Sequence, residues 1–299
     1  MSDDCKQTPN RFVLRFSGVL LSVVLSIGAA VATVKYMAPV QTAPHRETSF
    51  ERVTRTNTIR CGYATWYPEM IKDPNTGKLS GYDYDVVNEL GKVLGLKVEW
   101  VEETGWGVAE QGLITSRYDM ACNAFWGPPA RAKAANYSIP YVHHPVFPVI
   151  RKNLVGPQDS IEWLNDPKYK FAVHSGAIDD AIASNHFPKA ATVDVLTLGT
   201  DGDAMMSVST GKADFTFANW TGANRFLEQN PDSIKIIPIP IEVEGGALLL
   251  PNDDPRFKFM VDKGLKYLLD SGFIRSVMTR YMGNDPRAWR HPAESYETK

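Results

Sequence analysis

The sharpest chemistry in this sequence is offered by one arginine. Arg131 follows Gly127-Pro128-Pro129-Ala130, a break after the apolar run Met120 to Phe125. That run reads as a buried strand, and proline is tolerated at a first helical position because its missing N–H would go unpaired there anyway. Arg131 therefore falls in the first turn of a short helix, just beyond the carboxyl end of a strand. This is the edge at which open α/β sheets bind ligands. The helix dipole favours anions at that end, so a cation there calls for an anionic partner, either a ligand carboxylate or a neighbouring acid. A solvated surface arginine is the plain alternative for this stretch taken alone.

Other candidates converge on the same edge. Trp66, Trp106, Trp126 and Trp220 each stand just beyond a strand end or at a helix start, where aromatic walls give an apolar or cationic ligand a large flat contact. At least one of the four is expected simply to fill the core. The turn Gly176-Ala177 presents backbone N–H groups that suit an anion, although an ordinary helix start accounts for it equally well. Asn219 closes Gly-Lys-Ala-Asp-Phe-Thr-Phe-Ala-Asn and is also a good N-cap for a helix beginning near Trp220. Glu69, Glu103 and Glu244 are the carboxylates that an acid–base enzyme would need, but no nucleophile–base pair accompanies them. The pair His143-His144 has no Cys or His partner at metal-ligand spacing, so neither a metal nor another cofactor is expected.

The elements that must position these groups alternate strand and helix. Thr58 to Gly62 reads as a strand, and Trp66 to Glu69 as the loop at its carboxyl end. Asp83 opens a helix whose Val86, Val87, Leu90, Val93 and Leu94 recur at helical spacing, with Gly95 to close it. Leu96 to Val101 is a strand, and a helix introduced by Trp106 ends near Arg117. Pro145 to Arg151 is a strand leading into a second α/β set: strand Lys170 to His174, a helix from Gly176, strand Val193 to Leu198, helix Asp201 to Thr210, strand Ala213 to Ala218, helix Trp220 to Gln229 and strand Ile234 to Ile239. Gly246 to Leu250 returns as a strand, followed by helices Pro255 to Leu269 and Phe273 to Tyr281, with Phe257, Met260, Val261, Leu265, Leu268 and Leu269 on one stripe. The order predicts an α/β fold of two lobes with right-handed parallel crossovers. Two crossings, near Ile150-Arg151-Lys152 and between Ile239 and Gly246, form the expected hinge. The domain boundaries that follow are 45–150 for the first part of lobe one, 151–240 for lobe two, 241–290 for the return and 291–299 for a tail.

With 299 residues the chain is long enough for one large core or two lobes. A net charge of -2 gives no reason to expect nucleic acid. Phe16 to Val34 is uncharged, preceded by Lys6, Arg11 and Arg15 and followed by Lys35. At about 19 residues it is long enough to span a bilayer, and it is also built like a signal peptide, with Ala30-Val31-Ala32 as a cleavage site. Residues 1–44 thus read as a signal peptide or anchor plus linker, and the basic flank orients the remainder outward. The linker is expected to continue to Asn57. Cys61 and Cys122 fall in expected core strands, which favours buried thiols over a disulfide.

The stretch Tyr118 to Tyr141 resembles the signature of the family 3 extracellular solute-binding proteins, the polar-amino-acid type of receptor for ABC importers. There an Asp opens a strand, a Thr-x-x-Arg turn follows, then Phe-Ser-x-Pro-Tyr. Here Asp119, Pro128-Pro129-Ala130-Arg131 and Tyr137-Ser138-Ile139-Pro140-Tyr141 occupy those places. Gly81-Tyr82-Asp83-Tyr84-Asp85 stands for the family's Gly-Phe-Asp-Val-Asp, and the resemblance runs over roughly residues 57 to 283. It implies a type II periplasmic-binding fold, a monomer, an extracytoplasmic location, a small carboxylate or amino-acid-like ligand held between the lobes with Arg131 on its carboxylate, and importer membrane subunits as partners. The alternative class on this fold is a dehydratase-like periplasmic enzyme using a cleft carboxylate.

The departures bear on the ligand. Amino-acid receptors of this type carry an Asp at the place of Asn219, paired with the ligand's α-ammonium, and Asn brings no charge. Trp126 replaces a small hydroxyl residue, Ala177-Ile178 replaces Thr-Thr, and Glu69 replaces an aromatic. The carboxylate half of an amino-acid site is present and the ammonium half is not. A carboxylate lacking a free α-amine, or one whose cation is met by Glu69 or the tryptophans, is the expected ligand.

Overall fold

The computed structural model describes Ser26 and residues 46–127, 132–174, 178–195 and 201–292. Arg131, Gly176, Ala177, the tail beyond residue 292 and the apolar segment 16–34 other than Ser26 lie outside them.

The expected linker contains a helix. In α1 (Ser49–Thr56), Thr48 and Glu51 form a reciprocal capping box, which satisfies two otherwise unpaired N–H groups. Val53 is buried, and Arg52 ion-pairs with the fully buried Asp119. Asp119 also accepts the backbone N–H of Arg60 at 2.7 Å. A short helix needs no long apolar stripe when its cap and one ion pair fasten it.

The first half follows in order: β1 (Thr58–Tyr63), the hairpin β2 (Ile71–Lys72) and β3 (Leu79–Ser80), α2 (Tyr82–Val93), β4 (Lys97–Glu103), α3 (Ala109–Ile114), β5 (Met120–Trp126) and β6 (Asn136–Tyr137). Next comes the long strand β7 (Val142–Arg151). The second half holds β8 (Lys170–Val173), α4 (Asp179–His186), β9 (Ala191–Asp194), α5 (Asp201–Ser209), β10 (Phe215–Asn219), α6 (Trp220–Gln229) and β11 (Ile234–Ile236). The chain returns through β12 (Glu242–Leu250), α7 (Pro255–Asp270) and α8 (Phe273–Met282). α7 starts where its sequence says: Asp254 accepts the N–H of Phe257 at 3.0 Å, Pro255 opens the helix, and Phe257, Val261, Leu265 and Leu268 are buried.

Strand order in the main sheet is β4-β1-β5-β12-β7-β10-β8-β9, with β6 on β12 and β11 on β7. β1 pairs parallel with β4 and β5, and β8 pairs parallel with β9 and β10. Between these parallel halves lies the antiparallel pair β12–β7. This is a two-lobed α/β fold of the periplasmic-binding type, joined by two long strands. Val142 to Val146 pair with β12, and Val146 to Ile150 pair with β10. The strand thus changes partner at Val146, ahead of the expected crossing at Ile150. β7 begins at Val142, three residues ahead of the expected start at Pro145.

Each half has its own apolar core. One joins Ile59, Val86, Leu90, Leu248, Phe257 and Val277, and another joins Val146, Phe171, Ile182, Phe187, Phe215 and Ile237. In the first, the expectation of buried thiols is overturned: Cys61 and Cys122 are joined by a disulfide, with Cα atoms 5.6 Å apart. The cause is register. Cys61 of β1 pairs with Met120 of β5, so Cys122 lies two residues along the neighbouring strand, within bridging reach.

Candidate ligand cleft

The loop after β1 is built to a tight specification. Gly81 has φ +122°, and a Cβ there would lie 2.2 Å from the carbonyl oxygen of Glu69. Only glycine allows that approach, which lets the Asp83 N–H reach Glu69 O at 3.0 Å. The loop is thereby held against the start of α2. It carries Trp66 and Tyr67 towards the second half of the molecule.

Three of the four tryptophans meet. Trp66 touches Trp106 edge-on at 5.1 Å between centroids and Trp126 at 6.2 Å. Trp126 in turn lies 6.2 Å from Phe217 on β10, so this aromatic chain passes from one half to the other. Trp106 is also packed on Phe125 at 4.8 Å, a core contact of the expected kind. Trp220 is not part of the chain. It packs on Phe147 at 5.2 Å and lies under the Arg287 guanidinium at 4.1 Å.

A cavity of about 300 Å³ opens between the loop and lobe two, with Trp66, Tyr67 and Met70 on one wall and Met205, Arg225 and Phe226 on the other. A second, of about 240 Å³, is bounded by Tyr67, Trp220, Arg225 and Asp285. Arg225 stacks over the Tyr67 ring at 3.8 Å and so bridges the two walls.

Asn219 is the N-cap of α6. Its Oδ1 accepts the backbone N–H of Gly222 at 2.7 Å. That bond fixes the amide's orientation, and Nδ2 has no partner among the described residues. Asn219 therefore carries a free N–H donor and an uncharged oxygen that already accepts one bond.

The carboxylates divide by environment. Glu69 is 2 % exposed, and its charge, after burial, helps to push the neighbouring Tyr82 hydroxyl well above its usual pKa. Asp83 is buried beneath it, accepting from Tyr141 Oη–H, from Ala124 N–H at 3.0 Å and from Asn123 Nδ2 at 3.2 Å. Burial pushes Asp83 up to about 7 against the pull of those donors. Glu103 is taken by Lys72 at 2.6 Å. Glu244 lies on β12 opposite His144 of β7. Burial, and then the charge of Glu242 beside it, push its pKa up to about 8.

His144, Tyr67 and Arg225 were not anticipated as site residues. His144 is fully buried, accepts the indole N–H of Trp126 at Nδ1 (3.1 Å) and pairs with Tyr82 through Nε2 (2.9 Å). The His143-His144 pair was visible in the sequence, but only as a failed metal motif. Among the described residues no group of three His, Cys, Asp or Glu could hold a metal ion.

Solved structures share this two-lobed fold. An ancestral amino-acid-binding protein described as a precursor of cyclohexadienyl dehydratase superposes with a TM-score of 0.67 at 24% identity, covering 78% of this chain and 99% of its own. Residues 59–284 match the bacterial extracellular solute-binding proteins, family 3, and the chain belongs to that family. It is thus an extracytoplasmic solute-binding protein of the kind that serves ABC importer systems. Among relatives, the L-cystine-binding protein TcyA of Bacillus subtilis is 25% identical over 224 residues, 74% of this chain and 79% of that protein. A probable amino-acid ABC transporter-binding protein of Haemophilus influenzae is 27% identical over 236 residues, 79% of this chain and 88% of that protein.

Proposed function

We propose that the cleft captures a small carboxylate with a flat or apolar body and no free α-ammonium, and delivers it to an importer. The observation that carries this reading is the orientation of Asn219. A free α-ammonium needs an acceptor, preferably charged, and Asn219 is uncharged, has its oxygen already committed to one bond from Gly222 and turns Nδ2–H away from that bond. A carboxylate or carbonyl oxygen is the natural partner for that donor. Glu69, the other candidate for meeting a cation, is buried, with 2 % exposure. The aromatic chain Trp66–Trp106–Trp126 suits a flat body. Arg131, Ala177 and Trp220 stay in the proposed site as the carboxylate clamp, an N–H donor and a rim residue.

The relatives' printed ligands include L-cystine and amino acids, so this chain would depart from them at the ammonium position. The protein acts as a monomer, brought outside by its N-terminal apolar segment as signal peptide or anchor. The two strands β7 and β12 serve as the hinge, with 45–150 and 241–290 as lobe one and 151–240 as lobe two. Calorimetric titration of carboxylates against the matching α-amino acids tests the ligand class. Tighter binding of the amino acid than of its des-amino analogue would refute it.

A further inference from the structure

A buried chain of hydrogen bonds runs from the Trp66–Trp126–Phe217 aromatic cluster into lobe one, and donor chemistry gives it a direction. An indole N–H donates and cannot accept. The 3.1 Å contact from Trp126 Nε1 therefore requires a lone pair on His144 Nδ1. In a neutral imidazole the hydrogen then sits on Nε2, which donates to Tyr82 Oη at 2.9 Å. The Tyr82 hydroxyl oxygen is thus the acceptor of this bond. A cationic His144 would set N–H against N–H, and burial holds its pKa down to about 3.

The other end of the chain is Trp126, whose ring lies between Trp66 of lobe one and Phe217 of lobe two. A ring held only by edge contacts has several orientations open to it; an N–H bonded to a buried acceptor leaves one. We propose that His144 is a positioning residue of the cleft, holding the Trp126 indole as a fixed wall through the directed chain Trp126, His144, Tyr82. The wall's role in selecting a flat ligand rests on the proposed function above; the positioning does not. His144 touches no ligand. It acts through Trp126, and the side chains behind it fix which of its nitrogens is free.

Long-range ¹H–¹⁵N correlation spectra of the full-length protein read the tautomer directly, and indole N–H exchange of Trp126 reads the bond. Expected are an Nε2–H tautomer at His144 and slow Trp126 exchange. His144→Phe keeps ring volume and deletes both bonds, and should speed that exchange roughly five- to tenfold, as loss of one hydrogen bond implies. His144→Asn restores an acceptor near the Nδ1 position and should recover most of the protection. An Nδ1–H tautomer, or Trp126 exchange unchanged in His144→Phe, overturns the proposal. The wild-type tautomer alone decides the matter if His144→Phe does not fold. In parallel, 3-phenylpropionate and butyrate are titrated calorimetrically. A wild-type preference for the aromatic probe that shrinks in His144→Phe supports the wall's role. Failure of both to bind wild type would count against the ligand class and leave the spectra to judge the positioning.

Discussion

Arg225 of α6 stacks on the ring of Tyr67, 3.8 Å from its centroid, across the gap between the loop after β1 and lobe two. A similar stack, Arg287 over Trp220 at 4.1 Å, ties the segment after α8 to the start of α6. Both join parts of the chain that must separate if the lobes swing about β7 and β12. Each exposed stack is worth about 0.5–1 kcal/mol, so together they bias the hinge towards closure. Arg225→Ala should weaken ligand binding roughly two- to fivefold and raise the ligand-free radius of gyration in solution scattering. Unchanged scattering and affinity would remove the stack from the closing motion.

The bridge Cys61–Cys122 closes a loop across 61 residues. Constraining the unfolded chain over that length contributes about 4 kcal/mol. Cys122→Ser should lower the melting temperature markedly, and dithiothreitol should lower that of wild type but not of the variant. Equal melting with and without reductant would mean that the bridge stabilises nothing.

Acidity should matter through Glu244, raised from 4.5 to about 8. The folded protein keeps this proton while the unfolded chain releases it, so its contribution favours folding at low pH and is lost as pH rises from 4.5 towards 8. His144 acts in the opposite sense. Its pKa falls from 6.5 to about 3, so stability is lost as pH drops through that window. Glu244→Gln mimics the protonated acid. Melting curves should match wild type near pH 4.5, below which Glu244 is protonated in both states, and lie above it near pH 8. A variant less stable than wild type near pH 8 would contradict the assignment.

Arg131→Ala should cost about 3–5 kcal/mol of binding, the penalty for leaving a buried ligand carboxylate unpaired. Its melting temperature without ligand should stay near wild type. Full affinity in this variant would place the carboxylate elsewhere.

How far the sequence foretold these features depends on the range of the interaction concerned. α7 was legible because its cap, its opening proline and its apolar stripe lie within one segment. The capping box of α1 was equally local, in Thr48 and Glu51, and was missed only because a single buried valine gave no periodicity to notice. The disulfide was not legible, since it depends on the register between β1 and β5, which are separated by a hairpin, a helix, a strand and a second helix. Three tryptophans meeting around Trp66 could be suspected from strand ends. Trp220 could not be told apart from them, because its neighbours Phe147 and Arg287 arrive from distant elements. His144 was invisible as a positioning group for the same reason: Trp126 and Tyr82 reach it from other strands and helices.

The central claim is that Asn219 removes the ammonium half of an amino-acid site, and Asn219→Asp tests it most directly. Asp caps a helix as well as Asn does, so the bond to Gly222 N–H survives and the change adds only a charge. A charged partner in a hydrogen bond is worth roughly 1.5–3 kcal/mol against about 1 for a neutral one. Titrating one α-amino acid and its des-amino analogue into both proteins, the account predicts that the des-amino acid binds wild type more tightly and that the variant reverses the preference. Affinities for both ligands that stay within about twofold would mean that Asn219 is a cap and nothing more, and the proposed ligand class would fall with it.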